Sequence, residues 1–137
     1  MRNVGTGNRA LVEEIYRRLN VVDLSILEAF HPDAEWHWPP STPEQSVFRG
    51  QGELREGLML WRDSWEDFRM EADELMEDGD YVFAMTRYLA RGAGSGVVVD
   101  DVIAHLFHIR DGLIAGWWMF GDGDKARRRF LAGDRPG

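Results

Sequence analysis

The sequence predicts an α+β domain in which N-terminal helices pack on a curved antiparallel sheet. Three observations predict it. Helical apolar periodicity dominates the first half, period-two alternation dominates the second, and strong turn signals separate the alternating runs. The 137 residues, 44% apolar and 12% aromatic, suffice for one core. A single domain over 1–137 is expected, with its core at about 8–131 and flexible ends; repeats and linkers are absent from the sequence.

From Asn8 to Val22, the residues Leu11, Ile15, Leu19 and Val22 recur at the spacing of one helical face. Asp23 then caps a second, short helix carrying Leu24, Leu27 and Phe30, which His31, Pro32 and Asp33 stop. Glu35 to Trp38 reads as extended, and Pro39, Pro40 and Pro43 make the next stretch a loop. After Gly50, a third helix is predicted from Leu54, Leu58, Trp61, Trp65 and Phe68, an aromatic stripe at steps of four and three. The period then falls to two. Met70, Ala72 and Glu74 alternate with charged neighbours before the turn Asp78-Gly79-Asp80. Strands follow at Tyr81 to Ala90, Val97 to Arg110 and Leu113 to Phe120, joined by the glycine-rich run Arg91 to Gly96 and by Asp111-Gly112. A glycine-rich run between strands is not a phosphate cradle, which opens a helix. A last short helix is expected near Asp124 to Leu131.

The 24 acidic and 16 basic side chains give a net charge of -8, which opposes nucleic-acid and anionic-membrane binding. The run Arg127, Arg128, Arg129 fits the solvated last turn of a helix, where cations suit the dipole. With no cysteine there are no disulfides, thiol nucleophiles or thiolate metal sites. No signal-like segment and no apolar run of about 20 residues is evident, so a soluble cytoplasmic protein is expected. The strand after Val97 is apolar on both faces, with Val102, Ala104 and Leu106 on one and Ile103, Phe107 and Ile109 on the other. One short helix remains to cover the second face, so a homodimer through the outer sheet face is the expected arrangement.

The order of these elements, with Phe30-His31-Pro32-Asp33-Ala34-Glu35-Trp36 before the loop, Phe48-Arg49-Gly50 at the third helix and His105 to Gly112 before the last strand, resembles the nuclear transport factor two-like superfamily. More narrowly, it resembles the SnoaL-like branch, which includes polyketide cyclases and ketosteroid-isomerase-like proteins. The resemblance implies a cone-shaped, cystatin-like fold with a pocket between helices and sheet. Carried over by position, the isomerase tyrosine falls near Ile15 with Tyr16 one step along, the aspartate base falls at Trp38, and the acid falls at Ala104. Both carboxyl groups are missing. The acid-base aspartate of the cyclases falls on Met119, and Asp122 is the nearest carboxylate, flanked by Gly121 and Gly123 in a turn or cap context. The arginine of the limonene-epoxide-hydrolase-like members finds no matching aspartate pair.

Strand registration on the family places Met85, Arg87 and Leu89, then Asp100, Val102, Ala104, Leu106 and His108, then Trp117 and Met119 toward the cavity. Arg87 would anchor a carboxylate or developing oxyanion, with Asp100 or Glu35 as its partner. The alternative is a surface ion pair. His108 would supply an acid or base, or serve as a hydrogen-bonded structural histidine. His105 is expected on the subunit-facing side, His37 at the rim and His31 as a helix stop; His105 and His108, three apart on a strand, cannot share a metal. No metal and no cofactor are expected. The candidate catalytic residues are therefore Arg87, His108, Asp100 and Asp122. The candidate pocket is Tyr16, Trp36, Trp38, Trp61, Trp65, Arg87, Ala104, Leu106, His108, Trp117 and Met119. Three tryptophan pairs on three elements suit a flat apolar ligand, although core packing is the commoner use of such rings. Two functions follow: a cofactor-independent isomerase, cyclase or lyase acting on a small hydrophobic carbonyl or polycyclic compound, or a noncatalytic binder of a flat apolar ligand. A protein-interaction scaffold ranks third, because no separate partner-binding signal is present.

Overall fold

A computed structural model of the chain describes residues 4–21, 23–39 and 47–136. Helix α1 (Val4–Asn20) buries Val12, Ile15, Tyr16 and Leu19, with Leu11 half-buried at the edge of the stripe. Its last residue is tied down in two directions. The Asn20 amide donates to the Met70 carbonyl and accepts from the Met70 N–H, both at 2.8 Å, so it mimics a strand partner for that backbone. A 3-10 helix over Leu24–Ala29 follows, its first turn capped by the Asp23 carboxylate, which accepts from the Ser25 N–H. Val22, expected on the helical face, and Pro40 and Pro43, expected in a loop, lie outside the described residues.

Strands β1 (Phe30–His37) and β2 (Val47–Arg49) lead into α2 (Gly50–Ser64). Four further strands follow: β3 (Trp65–Asp78), β4 (Tyr81–Gly92), β5 (Val98–Arg110) and β6 (Leu113–Phe120), closed by α3 (Gly123–Leu131). The strand order is β2-β1-β6-β5-β4-β3, antiparallel except where β1 runs parallel to β6. The turn between β5 and β6 has Asp111 at φ 57° and Gly112 at φ 74°, the left-handed pair that a two-residue hairpin needs. Helix α2 stops at Ser64, four residues short of Phe68, where its aromatic periodicity ends. Trp65 is already extended, and Trp65 and Phe68 belong to β3, because strand pairing with β4 begins at Trp65.

The inner, helix-facing side of the sheet carries Val82, Ala84, Tyr88, Phe107, Trp117 and Met119 against α1 and α2. The outer side carries a second cluster, Phe83, Ala104 and Leu106, beneath Ala126 and Phe130 of α3. Both faces are thus apolar for different reasons. The short last helix, expected to be too small for the purpose, covers this part of the outer face within one chain. Among the described residues, no helix is long and apolar enough to cross a membrane.

Candidate functional site

The inner ends of β1, β4, β5 and β6 converge on a stack of rings. Trp36 lies on Trp117 with centroids 4.7 Å apart at 10°, and Phe107 lies on the other side of Trp117 at 5.3 Å. These rings fill the base of the cone. An open slot of about 260 Å³ remains at the mouth, lined by Trp38, Pro39, Trp61, Ser64, Trp65, Tyr88, Ile103 and Met119. Trp61 is the hinge of the arrangement, within 5.6–5.9 Å of Trp38, Trp65 and Tyr88, mostly edge to face. The indole N–H groups of Trp38, Trp61 and Trp65 and the Tyr88 hydroxyl are buried without a hydrogen-bond partner. Burial also pushes the Tyr88 phenol up, so it remains a protonated donor. The slot is therefore an apolar space with no carboxylate in its lining, and four of its lining residues carry a buried, unpartnered donor.

Below the slot, one polar group lies among the rings. His105 is fully buried, and its Nδ1 is 2.7 Å from the Tyr16 hydroxyl, which is in turn 3.0 Å from Thr86 Oγ1. Burial pushes the imidazole down to about 3 and the Tyr16 phenol up, so both are neutral near pH 7. Two proton arrangements satisfy this chain, with Nδ1 either accepting from Tyr16 or donating to it. In both, Nε2 of His105 is buried and unpartnered.

These positions correct the sequence-based placement on β4 and β5, which was out of phase by one residue. Arg87 points outward, its side chain 50% exposed, in an ion pair with Asp100 at 3.2 Å. Glu35 instead pairs with Arg49 and His37. Ala104 and Leu106 are buried under α3, not in the cone, and Met85 and Phe83 share that outer side. His108 stacks on Tyr81 at 4.5 Å, also outside. Asp122 caps α3 by accepting from the Lys125 N–H. The four candidate catalytic residues thus lie outside the cone, where Arg87, Asp100 and Asp122 are engaged in a surface pair and a cap. His37 stacks on Trp118 at 5.3 Å.

Tyr16, expected to be out of step, faces the core through Ile15 and Tyr16 being buried together on α1. His105, expected on the subunit-facing side, lies instead on the inner side against Tyr16 and Phe107. It was missed because β5 offers no polar alternation to set its phase: Ile103, Phe107 and Ile109 read no differently from Ala104 and Leu106. Trp38, Trp61, Trp65 and Met119 line the slot, while Trp36 and Trp117 form its packed base. Among the described residues, no group of three His, Asp or Glu side chains is arranged to hold a metal.

A six-stranded sheet wrapped by helices around an aromatic slot defines the class of small cone-shaped α+β pocket domains. The chain belongs to the SnoaL-like domain family, whose profile matches residues 12–117. No curated protein matches the sequence. Among solved structures, a SnoaL-like protein from Jannaschia sp. CCS1 is similar over 98% of both chains at 16% identity and a TM-score of 0.78. TerC, crystallised with polyporic acid, is similar over 89% of this chain and 96% of its own, at 20% identity and a TM-score of 0.74. SalBIII, an epoxide hydrolase/cyclase-like enzyme of pyran ring formation in the polyether salinomycin, is similar over 82% and 88%, at 20% identity and a TM-score of 0.72.

Proposed function

We propose that this domain binds a flat, largely apolar small molecule in the slot at the cone mouth, with the ligand's oxygen atoms accepting from the surrounding ring donors. The observation that supports this reading most is an open slot walled by aromatic side chains, of which Trp38, Trp61, Trp65 and Tyr88 each carry a donor with no partner in the protein. A buried donor without an acceptor costs about 1–3 kcal/mol, and a ligand carbonyl or hydroxyl removes that cost. The cocrystallisation of TerC with polyporic acid is consistent with a small organic ligand in this fold. Calorimetric titration with 2-acetylnaphthalene tests the reading: one molecule binds per chain, and Trp61→Leu weakens it by about tenfold. Absence of saturable binding, or equal binding by the variant, overturns it.

Catalysis of the isomerase or cyclase type is the second reading, favoured by the hydrogen bond that couples the Tyr16 hydroxyl to His105. On this reading His105, not a carboxylate, is the group that moves a proton. Protein-dependent exchange of the acetyl methyl protons of 2-acetylnaphthalene in deuterated water supports it. No exchange above buffer, with binding intact, leaves a noncatalytic binder.

A further inference from the structure

A cleft of about 300 Å³ opens on the outer face of the sheet, along α3, and shares no lining residue with the mouth slot. Its apolar part is formed by Phe83, Phe120 and Phe130 with Leu106. Its remaining lining is mostly charged. Lys125 and Arg129 both come from α3, one helical turn apart. Arg135 comes from the C-terminal tail, and its guanidinium lies 4.2 Å over the Phe130 ring and 5.2 Å over that of Tyr81. It also donates to the Asp78 carboxylate and to the carbonyls of Phe130 and Asp134. That cation is engaged in holding the tail as one wall of the cleft.

The other two cations are not engaged in this way. Among the described residues, the Lys125 ammonium has no ion pair, and Arg129 has a loose one, its Nε 3.7 Å from Asp134 with no hydrogen bond. Arg127, on the same helix but outside the cleft, is by contrast hydrogen-bonded to both carboxylate oxygens of Glu74, at 3.2 and 3.1 Å. Of the two acids in the lining, Asp122 is occupied as the α3 cap, accepting from the Lys125 N–H at 3.0 Å. The lining therefore carries three cations and two acids on a chain whose net charge is -8. Independently of the mouth reading, we propose that this cleft is a second small-molecule site, and that its ligand is an aromatic monocarboxylate. The ring lies against the phenylalanines, and the carboxylate accepts from Lys125 and from the forked donors of Arg129. The mouth slot has no cation in its lining, so a carboxylate buried there would be desolvated without compensation. The two cavities thus separate acids from neutral ketones.

The test uses the whole chain with 2-naphthoate and its uncharged counterpart, methyl 2-naphthoate. In nitrogen–proton correlation spectra, 2-naphthoate moves the backbone amide signals of Leu106, Lys125 and Phe130 to saturation, and the ester moves them at least about tenfold less readily. Lys125 and Arg129 are exposed, so the double variant Lys125→Gln, Arg129→Gln keeps the fold. It weakens the acid by about tenfold, whereas Arg128→Gln, which removes an exposed cation of the same helix outside the lining, changes the affinity by less than about twofold. If the acid moves the Trp61 indole signal and not those of α3, it uses the mouth and the cleft reading is wrong. Absence of saturable shifts with the acid, an equal response to the ester, or an equal loss in Arg128→Gln also overturns the proposal, the last because diffuse charge then accounts for the binding. If 2-acetylnaphthalene does not bind while 2-naphthoate binds at α3, the mouth reading fails and the cleft stands.

Discussion

The Tyr16 hydroxyl lies 2.7 Å from Nδ1 of His105, 89 positions further along the chain. This bond joins α1 to the middle of the sheet. It is also where hydrogen bonding enters a core otherwise built from rings, because Tyr16 and His105 stack at 5.6 Å while Thr86 supplies the third member. Replacing Tyr16 with Phe keeps the ring and removes the bond. The His105 nitrogen and the Thr86 hydroxyl then lose a buried partner, and urea denaturation is expected to show a loss of about 1–3 kcal/mol. An unchanged midpoint would show that the pair contributes no stability.

The same histidine sets a pH dependence. Its pKa is depressed from 6.5 to about 3 by burial, so the unfolded chain takes up a proton that the folded chain refuses. The stability it contributes is complete above pH 6.5 and is lost as pH falls toward 3. The expected slope from this one group approaches ~1.4 kcal/mol per pH unit inside that window. Denaturation curves for the unmodified protein and His105→Gln should diverge there, with the variant flatter. Parallel curves would mean that the imidazole is solvated.

Arg87 and Asp100 form an exposed pair on the outer face. Arg87→Ala is therefore expected to change stability by less than ~1 kcal/mol, since screened surface pairs contribute little. Affinity for 2-acetylnaphthalene should be unchanged. A tenfold loss for the ketone would return Arg87 to the binding site.

Gly57 lies in the middle of α2, where a Cβ would sit 3.1 Å from Cζ3 of Trp36 and 3.2 Å from Cγ of Phe48. Helix propensity favours alanine by up to ~1 kcal/mol. The rings oppose it, because Trp36 is packed by Trp38, Phe48, Trp61 and Trp117 and has no room to give. Gly57→Ala is expected to destabilise by about 1–3 kcal/mol, the usual cost of overpacking. A rise in the melting temperature would show that α2 moves away freely.

The fold was legible because helix and strand periods differ and because Asp78-Gly79-Asp80 and Asp111-Gly112 mark turns that residues on either side respect. The family resemblance rested on the same order of elements. The phase of β4 and β5 was not legible. On β6 the large rings Trp117 and Trp118 fix the two faces, whereas β5 presents apolar residues both to the inner core beside Tyr16 of α1 and to α3. Alternation therefore carries no sign there, and a slip of one residue exchanges His105 for Ala104 and Thr86 for Arg87. The end of α2 was obscured in a similar way. Trp61 and Trp65 are four apart and both meet the slot, one from a helix and the other from a strand.

The central claim is that the ligand enters the mouth of the cone, and a crystal structure with 2-acetylnaphthalene tests it most directly. The outer face offers a competing cleft of about 300 Å³ at α3, where Phe83, Leu106, Phe120 and Phe130 share the lining with the charged Asp122, Lys125, Arg129, Asp134 and Arg135. The account predicts the naphthalene rings among Trp38, Trp61, Trp65 and Tyr88. Rings seated under α3 with the mouth empty would contradict it.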